Sequence, residues 1–251
     1  MINYEYPLNE RIRTLLQLED AFARAACSIT QASRQEHHAA LLALFEIVEI
    51  AGRADLKSDL IQELERQKKI LELLPKNPAI SEDALNTLLQ DIDKTIAGLN
   101  GMTGKVGQHM RDNEWLMHIK QRADTTGGVR GFDLPSYHYW LNQDAELRSR
   151  ELASWLEPML PINDGIRIVM RALRDSGKGS RYVAPRGSFQ QMLSGQVVQM
   201  LRVRLADSLP CFPEISANKY AINISYAAPG RSQKPRACEQ DVEFEMMLCS
   251  L

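Results

Sequence analysis

The hydrophobic period of this chain changes from helical to extended near Gly177, and that change limits the possible folds more than any other feature. Before it, apolar residues recur three and four apart: Ile12, Leu15, Leu16 and Phe22; Leu41, Leu44, Phe45 and Val48; Leu60, Leu64 and Leu71. Side chains at those spacings share one face of an α-helix. Pro75 and Pro78 break the pattern, and Ser81 fits as the next N-cap. Glu82 and Asp83 then lie in a first turn, where the helix dipole favours acids. Leu85, Leu88, Leu89, Ile92 and Ile96 follow on one face, and further helices are expected at 105–122, 134–142, 145–157 and 162–175. Past Gly177 the apolar residues alternate singly. Leu201, Val203 and Leu205 flank Arg202 and Arg204; Tyr220, Ile222, Ile224 and Tyr226 form a second set; Val242, Phe244, Met246 and Leu248 flank Glu243 and Glu245. A fourth strand is expected over Arg181–Met192, and Pro229–Ala237 reads as a long loop. This is the pattern of an antiparallel sheet covered on one face. If the arginine and glutamate strands are neighbours, their charges pair across the other face. The expected class is α+β: a mainly helical domain over residues 1–176, then a small antiparallel β-domain over 177–251 packed on helices.

At 251 residues, 44% hydrophobic and 25% charged, the chain has the composition of a soluble globular protein with a substantial core. The net charge of −2 carries no general signal for polyanions, but the charge is unevenly distributed. Residues 161–238 hold twelve Lys/Arg against four Asp/Glu, which points to a basic surface facing a specific partner. The four cysteines form no CxxC pair, and the N-terminus lacks the apolar core of a signal peptide. The run Ala39–Ala51 is interrupted by Glu46 and Glu49 and is too short to span a bilayer. Membrane insertion is not expected, and the expected compartment is the cytoplasm.

No catalytic constellation is legible. Ser176-Gly177-Lys178-Gly179-Ser180 lacks the first glycine and the Lys-Ser/Thr of a phosphate-binding loop, and it follows a helix rather than a strand. Glu114 and His118 could share a helix face, yet nothing completes a metal set around them. The adjacent His37 and His38 read as exposed polar residues. No metal, cofactor or catalytic residue is therefore expected.

The stretch Gly127-Gly128-Val129-Arg130-Gly131-Phe132-Asp133-Leu134-Pro135 joins a glycine-rich turn to a helix start, with Asp133 as a possible cap and Pro135 suited to the first turn. His138-Tyr139-Trp140-Leu141 follows, and Tyr137, His138 and Trp140 are expected to pack the junction. His138 could alternatively line a groove between the helical and sheet regions. Together with Pro7-Leu8-Asn9-Glu10, Ile12-Arg13-Thr14-Leu15, Glu63-Leu64-Glu65-Arg66-Gln67, Lys120-Gln121-Arg122, Pro213-Glu214-Ile215-Ser216 and Asp241-Val242-Glu243-Phe244-Glu245, this order of segments resembles the ZapD family of bacterial cell-division proteins. The chain departs from the family pattern at Glu114 and Asn223, where more arginine can occur.

The resemblance implies a non-enzymatic homodimer that binds the C-terminal peptide of FtsZ, the tubulin-like division GTPase, and cross-links its filaments at mid-cell. Candidate tail contacts under that reading are Arg13, Arg53, Lys57, Arg111, Lys120, Arg122, His138, Arg202, Arg204 and Lys219, because arginine grips carboxylates bidentately and aliphatic stems cover apolar peptide. The alternative is a nucleic-acid-binding module using the basic C-terminal half. It ranks second because aromatic content is 6% and no stacking motif appears. An enzyme with its site at the inter-region groove ranks behind both.

Overall fold

The computed structural model describes residues 1–52, 55–73, 82–123, 125, 129–230 and 236–251. Pro75, Pro78, Ser81 and the Gly127-Gly128 pair lie outside the described residues. The protein is α+β, with helices followed by antiparallel strands. One strand, β1 (Ile2–Pro7), precedes the helices α1 (Glu10–Ile29), α2 (Arg34–Ala51), α3 (Leu56–Leu73), α4 (Glu82–Gly101), α5 (Gln108–Arg111), α6 (Glu114–Ala123), α7 (Pro135–Leu141), α8 (Ala145–Leu156) and α9 (Leu160–Ser176). The remaining strands are β2 (Ser180–Ala184), β3 (Ser188–Met192), β4 (Met200–Leu205), β5 (Phe212–Ala217), β6 (Ala221–Ala228), β7 (Arg236–Ala237) and β8 (Val242–Cys249). The chain divides into two compact units, one of Leu15–Val169 and one of Met1–Thr14 with Met170–Leu251.

The second unit is a β-sandwich. One sheet has the order β1-β4-β8-β2; the other runs β3-β6-β5, with β7 also paired to β6. Leu201, Val203, Leu205, Phe244 and Met246 of the first sheet share a core with Ile222, Ile224 and Tyr226 of the second. The alternation that predicted these strands thus also fixes which face each one buries. Arg204 stands opposite Glu245 and 3.3 Å from it, the cross-strand pairing expected of neighbouring arginine and glutamate strands.

Four features of this unit differ from expectation, the first being β5, a strand over Phe212–Ala217 where none was expected. The single strand expected over 181–192 is two strands in different sheets, because a 3-10 turn at Pro185–Gly187 takes left-handed backbone at Arg186 (φ 48°) and Gly187 (φ 70°). The first residues of the chain form β1, which pairs with β4 from Ile2 opposite Leu205 to Pro7 opposite Met200. For that reason the β unit gathers in residues 1–14 instead of starting after residue 176. Within the expected loop Pro229–Ala237, Arg236 and Ala237 pair with β6.

The first unit is a helical bundle. Its central helix is α2, which buries His37, Ala40, Leu41, Ala43, Leu44, Phe45, Ile47, Val48 and Ala51. A helix apolar on most sides belongs inside a bundle, which accounts for the run at Ala39–Ala51. Local caps set the boundaries: Ser33 Oγ accepts from Glu36 N, and Asp144 accepts from Glu146 N and Leu147 N. The helix expected over 105–122 is split, because Asn113 Oδ1 accepts from Leu116 N and starts α6 afresh. Asp133 does not cap α7; Leu134 holds the cap position without a side-chain bond, and Pro135 supplies the pre-set first turn.

The reading of His37 as exposed is also corrected. It is fully buried, and Arg148, 3% exposed, donates from Nε to its Nδ1 at 2.8 Å. Arg148 further donates to the carbonyls of Leu141 (2.9 Å), Ala32 (3.0 Å) and Gln143. Ser149 Oγ donates to the Ile29 carbonyl at 2.8 Å and lies 3.2 Å from His37 Nε2. With Nδ1 accepting, the neutral ring carries its proton on Nε2. Burial, then the Arg148 charge, holds the His37 pKa below its ordinary value, and burial lowers that of His38 as well.

The unfolded chain therefore binds more protons than the folded one as pH falls below about 6.5. Stability is full above that point and declines as pH drops toward the lowered folded values. We expect the urea midpoint to fall with acidification through this window, with a shallower decline in His37→Asn, which keeps an acceptor for Arg148 but does not titrate. Parallel pH profiles for the two proteins would refute this.

Candidate functional site

A groove of about 600 Å³ lies within the β unit. Three chain segments wall it: Tyr6–Glu10 with Arg13, where β1 passes into α1; Leu193 to Val198, between β3 and β4; and Ala217–Lys219, in the β5–β6 turn. Asn9 fixes the first corner by accepting from Ile12 N at 2.8 Å, while Leu8 N donates to the Gln199 carbonyl at 2.9 Å. Ser194 (φ 46°) and Gly195 (φ 81°) close a tight turn with Gln196 N on the Leu193 carbonyl at 2.8 Å. That turn holds up Val197, which is 79% exposed. Tyr6, Pro7, Leu8 and Val198 add apolar surface. The cations are Arg13, 3.4 Å from the exposed carboxylate of Glu10, and Lys219, whose ammonium lies 4.8 Å from the centroid of the Tyr220 ring. An exposed ion pair of this kind contributes on the order of 0–1 kcal/mol, so Arg13 is readily drawn to a better carboxylate.

Arg202 and Arg204 lie on the sheet face turned away from the sandwich core, and both are engaged. Glu5 takes a bidentate grip from Arg174, at 2.9 and 2.8 Å, with Arg202 Nε at 3.1 Å. Burial alone would raise the Glu5 pKa, but the hydrogen bonds and charges of Arg174, and then Arg202, hold it below the ordinary value. Arg204 donates to Asn3 at 3.0 Å besides pairing with Glu245. Arg167 and Arg171 pair with Asp164 and Asp175 on their own helix. The basic excess of residues 161–238 is thus partly neutralised by acids from β1 and β8, outside that window.

The other candidates belong to the helical unit or to its edge. Lys57 donates to the Met102 carbonyl at 2.8 Å, just past the end of α4, and lines a smaller cavity of about 420 Å³. Arg111 Nη2 donates to the Val48 carbonyl at the end of α2. Both act as C-terminal caps for helices distant in sequence, as cations at helix C-termini do. Lys120 lies 3.1 Å from Glu49. Arg122 is exposed in the last turn of α6. His138 is exposed on α7, with Asn142 donating to its backbone carbonyl at 2.8 Å. Arg53 lies outside the described residues.

The neighbours of His138 pack as expected: Tyr137 and Trp140 are buried and stacked, with ring centroids 5.7 Å apart. Tyr137 Oη lies 2.6 Å from His38 Nδ1, and Trp140 Nε1 donates to Glu151. The Glu63–Gln67 segment is scaffold as well, since Arg66 and Gln67 both donate to the buried Glu63 carboxylate. Ser176–Ser180 forms the link from α9 to β2, with Ser176 Oγ accepting from Ser250 N at 3.0 Å. Among the described residues no group of three or more His, Cys, Asp or Glu is placed to hold a metal ion, and no helix is long and apolar enough to cross a membrane. The groove residues Val197, Val198, Gln196 and Asn218 were not singled out from sequence. Their only signal was the Ser194-Gly195 turn pair between two strands.

A helical bundle joined to an antiparallel sandwich, with a mixed apolar and cationic groove in the sandwich unit, defines the structural class. The model of the cell division protein family ZapD matches residues 16–225. The chain is 53% identical over 251 residues to the cell division protein ZapD of Aromatoleum aromaticum, covering all of this chain and 98% of that one. Against those of Azoarcus sp. and Dechloromonas aromatica it is 53% and 52% identical, over the full length of both chains in each case. The chain belongs to the ZapD family of cell division proteins.

Proposed function

We propose that this protein binds the C-terminal tail of FtsZ and, as a homodimer, cross-links FtsZ filaments to promote assembly of the division ring at mid-cell, without a catalytic step. The observation that carries this reading is the groove, in a chain of this family, where exposed Val197 and the Tyr6–Leu8 corner stand beside Arg13 and Lys219. Such a surface suits a flexible segment bearing both apolar and acidic side chains. A tail that orders on binding loses conformational entropy, so each contact is weak. Two sites per dimer, repeated along paired filaments, raise the effective concentration of every further contact. The nucleic-acid alternative has less to rest on, because Arg174, Arg202 and Arg204 already face Glu5 and Glu245.

Co-sedimentation with polymerised FtsZ tests the proposal. Pelleting with full-length filaments and not with tail-truncated ones is the expected result. Equal pelleting with both forms, or with neither, would reject tail-dependent cross-linking.

A further inference from the structure

We infer that Cys211 and Cys238, with the Tyr226 hydroxyl beside them, form a two-sulfur site for a soft monovalent cation, copper(I), in the β unit. The first observation is where the strands carry the two cysteines. Ala227 of β6 has Phe212 of β5 on one side and Ala237 of β7 on the other. Cys211 directly precedes the first of these, and Cys238 directly follows the second. Both pack against the same apolar cluster, and the Cys211 thiol is in hydrogen-bond contact with that of Cys238.

The second observation decides what two such thiols can do. Their backbones stand on opposite sides of one strand, and two strand spacings come to about 9–10 Å. A disulfide draws its Cα atoms to about 4.4–6.8 Å. The thiols meet while the main chains stay apart, so an S–S bond would require β7 to leave β6. A metal ion spans the wider gap. Thiolate–metal bonds of about 2.3 Å on either side of one ion keep the sulfurs about 4–5 Å apart, against about 2.05 Å in a disulfide.

The third observation is the donor set. Among the described residues no third His, Cys, Asp or Glu joins the pair to make a metal-holding group. Zinc, which takes four ligands, is poorly served by that set, whereas soft thiolates select copper(I). Tyr226 is 1% exposed, its carbonyl accepts from Cys238 N at 2.8 Å, and its Oη has no hydrogen-bond partner among the described residues. Cys211 adds to the burial that holds this phenol above its ordinary range, so the two groups face each other. A thiol is a weak acceptor. A metal-bound thiolate is a better one, and hydrogen bonds to ligand atoms tune such sites.

Cys238 is only partly buried, and its thiol donates to the Gln240 carbonyl at 3.7 Å, so the ion enters from that side. Binding forms two sulfur–copper bonds and releases two thiol protons to solvent, with no electron transferred. Burial, then the neighbouring Cys238, holds the Cys211 pKa above the ordinary thiol value, so its proton leaves as the ion takes its place.

Anaerobic titration of the reduced full chain with copper(I), supplied as its acetonitrile complex in competition with the chelator bathocuproine disulfonate, tests the site. The wild type is expected to hold a single ion. Cys211→Ser and Cys238→Ser should each weaken binding by about tenfold or more, and Cys27→Ser, at an exposed position in the helical unit, should leave it unchanged. Tyr226→Phe guards against loss of fold, because it keeps both sulfurs and the aromatic packing on Phe244 and removes only the unmet hydroxyl. That variant should unfold at the same urea concentration as the wild type or higher, yet bind copper(I) about tenfold more weakly. Equal binding by wild type, Cys238→Ser and Tyr226→Phe would overturn the site. So would loss of binding in Cys27→Ser alone, which would mark an adventitious ion only. A wild type that takes up no copper(I) but forms a Cys211–Cys238 disulfide with oxidised glutathione would overturn it in favour of a redox pair.

Discussion

Replacing Arg148 with alanine is expected to lower the stability of the helical bundle by roughly 3–5 kcal/mol, because one buried guanidinium that donates to four acceptors at once is lost. Its guanidinium ties the nearby end of α7, through Leu141 and Gln143, to two places more than 100 residues away: the α1–α2 turn through the Ala32 carbonyl and α2 itself through His37. Truncation leaves the buried His37 ring and the partly buried Leu141 and Gln143 carbonyls without their donor, and an unmet buried polar group costs about 1–3 kcal/mol. Natural domains have a total stability of about 5–15 kcal/mol, so this one change should remove a large share. Arg148→Lys should recover only part, since an ammonium cannot reproduce the planar fork of donors. Urea unfolding followed by far-ultraviolet circular dichroism measures both. A midpoint for Arg148→Ala indistinguishable from wild type would show that the network is dispensable.

Gly187→Ala is the second large effect, at roughly 2–4 kcal/mol. The residue sits where the chain leaves one sheet for the other, at φ +70°, with an added Cβ placed 2.6 Å from the Cys238 carbonyl oxygen and 2.9 Å from the Cys238 Cβ. Backbone cannot move aside as a side-chain tip can. Gly195→Ala is the matched control. Its φ is +81°, yet an added Cβ there meets nothing within 4 Å. It should therefore cost only the left-handed backbone term, about 1–2 kcal/mol. Equal unfolding midpoints for the two variants would mean that the close approach to Cys238 contributes nothing.

The fold was legible wherever one segment's own pattern decides its state. The 3.6 period placed the stripes of α2 and α3, and the alternation about Arg202, Arg204, Glu243 and Glu245 anticipated both the buried faces and the Arg204–Glu245 pair. What stayed hidden depends on partners far along the chain. Ile2–Pro7 alternates too briefly to announce a strand until β4 lies beside it, and Pro213 disguises β5, as proline does in an outer strand. His37 looked solvent-exposed because the arginine that satisfies it is 111 residues away. The candidate site was read from charge, and charge does not say what a cation already holds. Arg111 and Lys57 serve carbonyls 63 and 45 residues distant, whereas Arg13 and Lys219 meet at the groove only because β1 and the β5–β6 turn come together.

The aromatic packing around Tyr137 and Trp140 has a spectroscopic consequence. The chain has three tryptophans, and Trp115, Trp140 and Trp155 all lie in one cluster of the helical unit, with ring centroids 5.9 to 6.2 Å apart. The β unit holds tyrosines but no indole. Intrinsic emission excited at the red edge of the indole band is thus a private reporter of the bundle, silent about the sandwich. Rings this close also couple their transitions, so the near-ultraviolet dichroism of the bundle should be intense and vanish when the cluster loosens. A single tryptophan placed at Val197 would give the sandwich its own voice against that background.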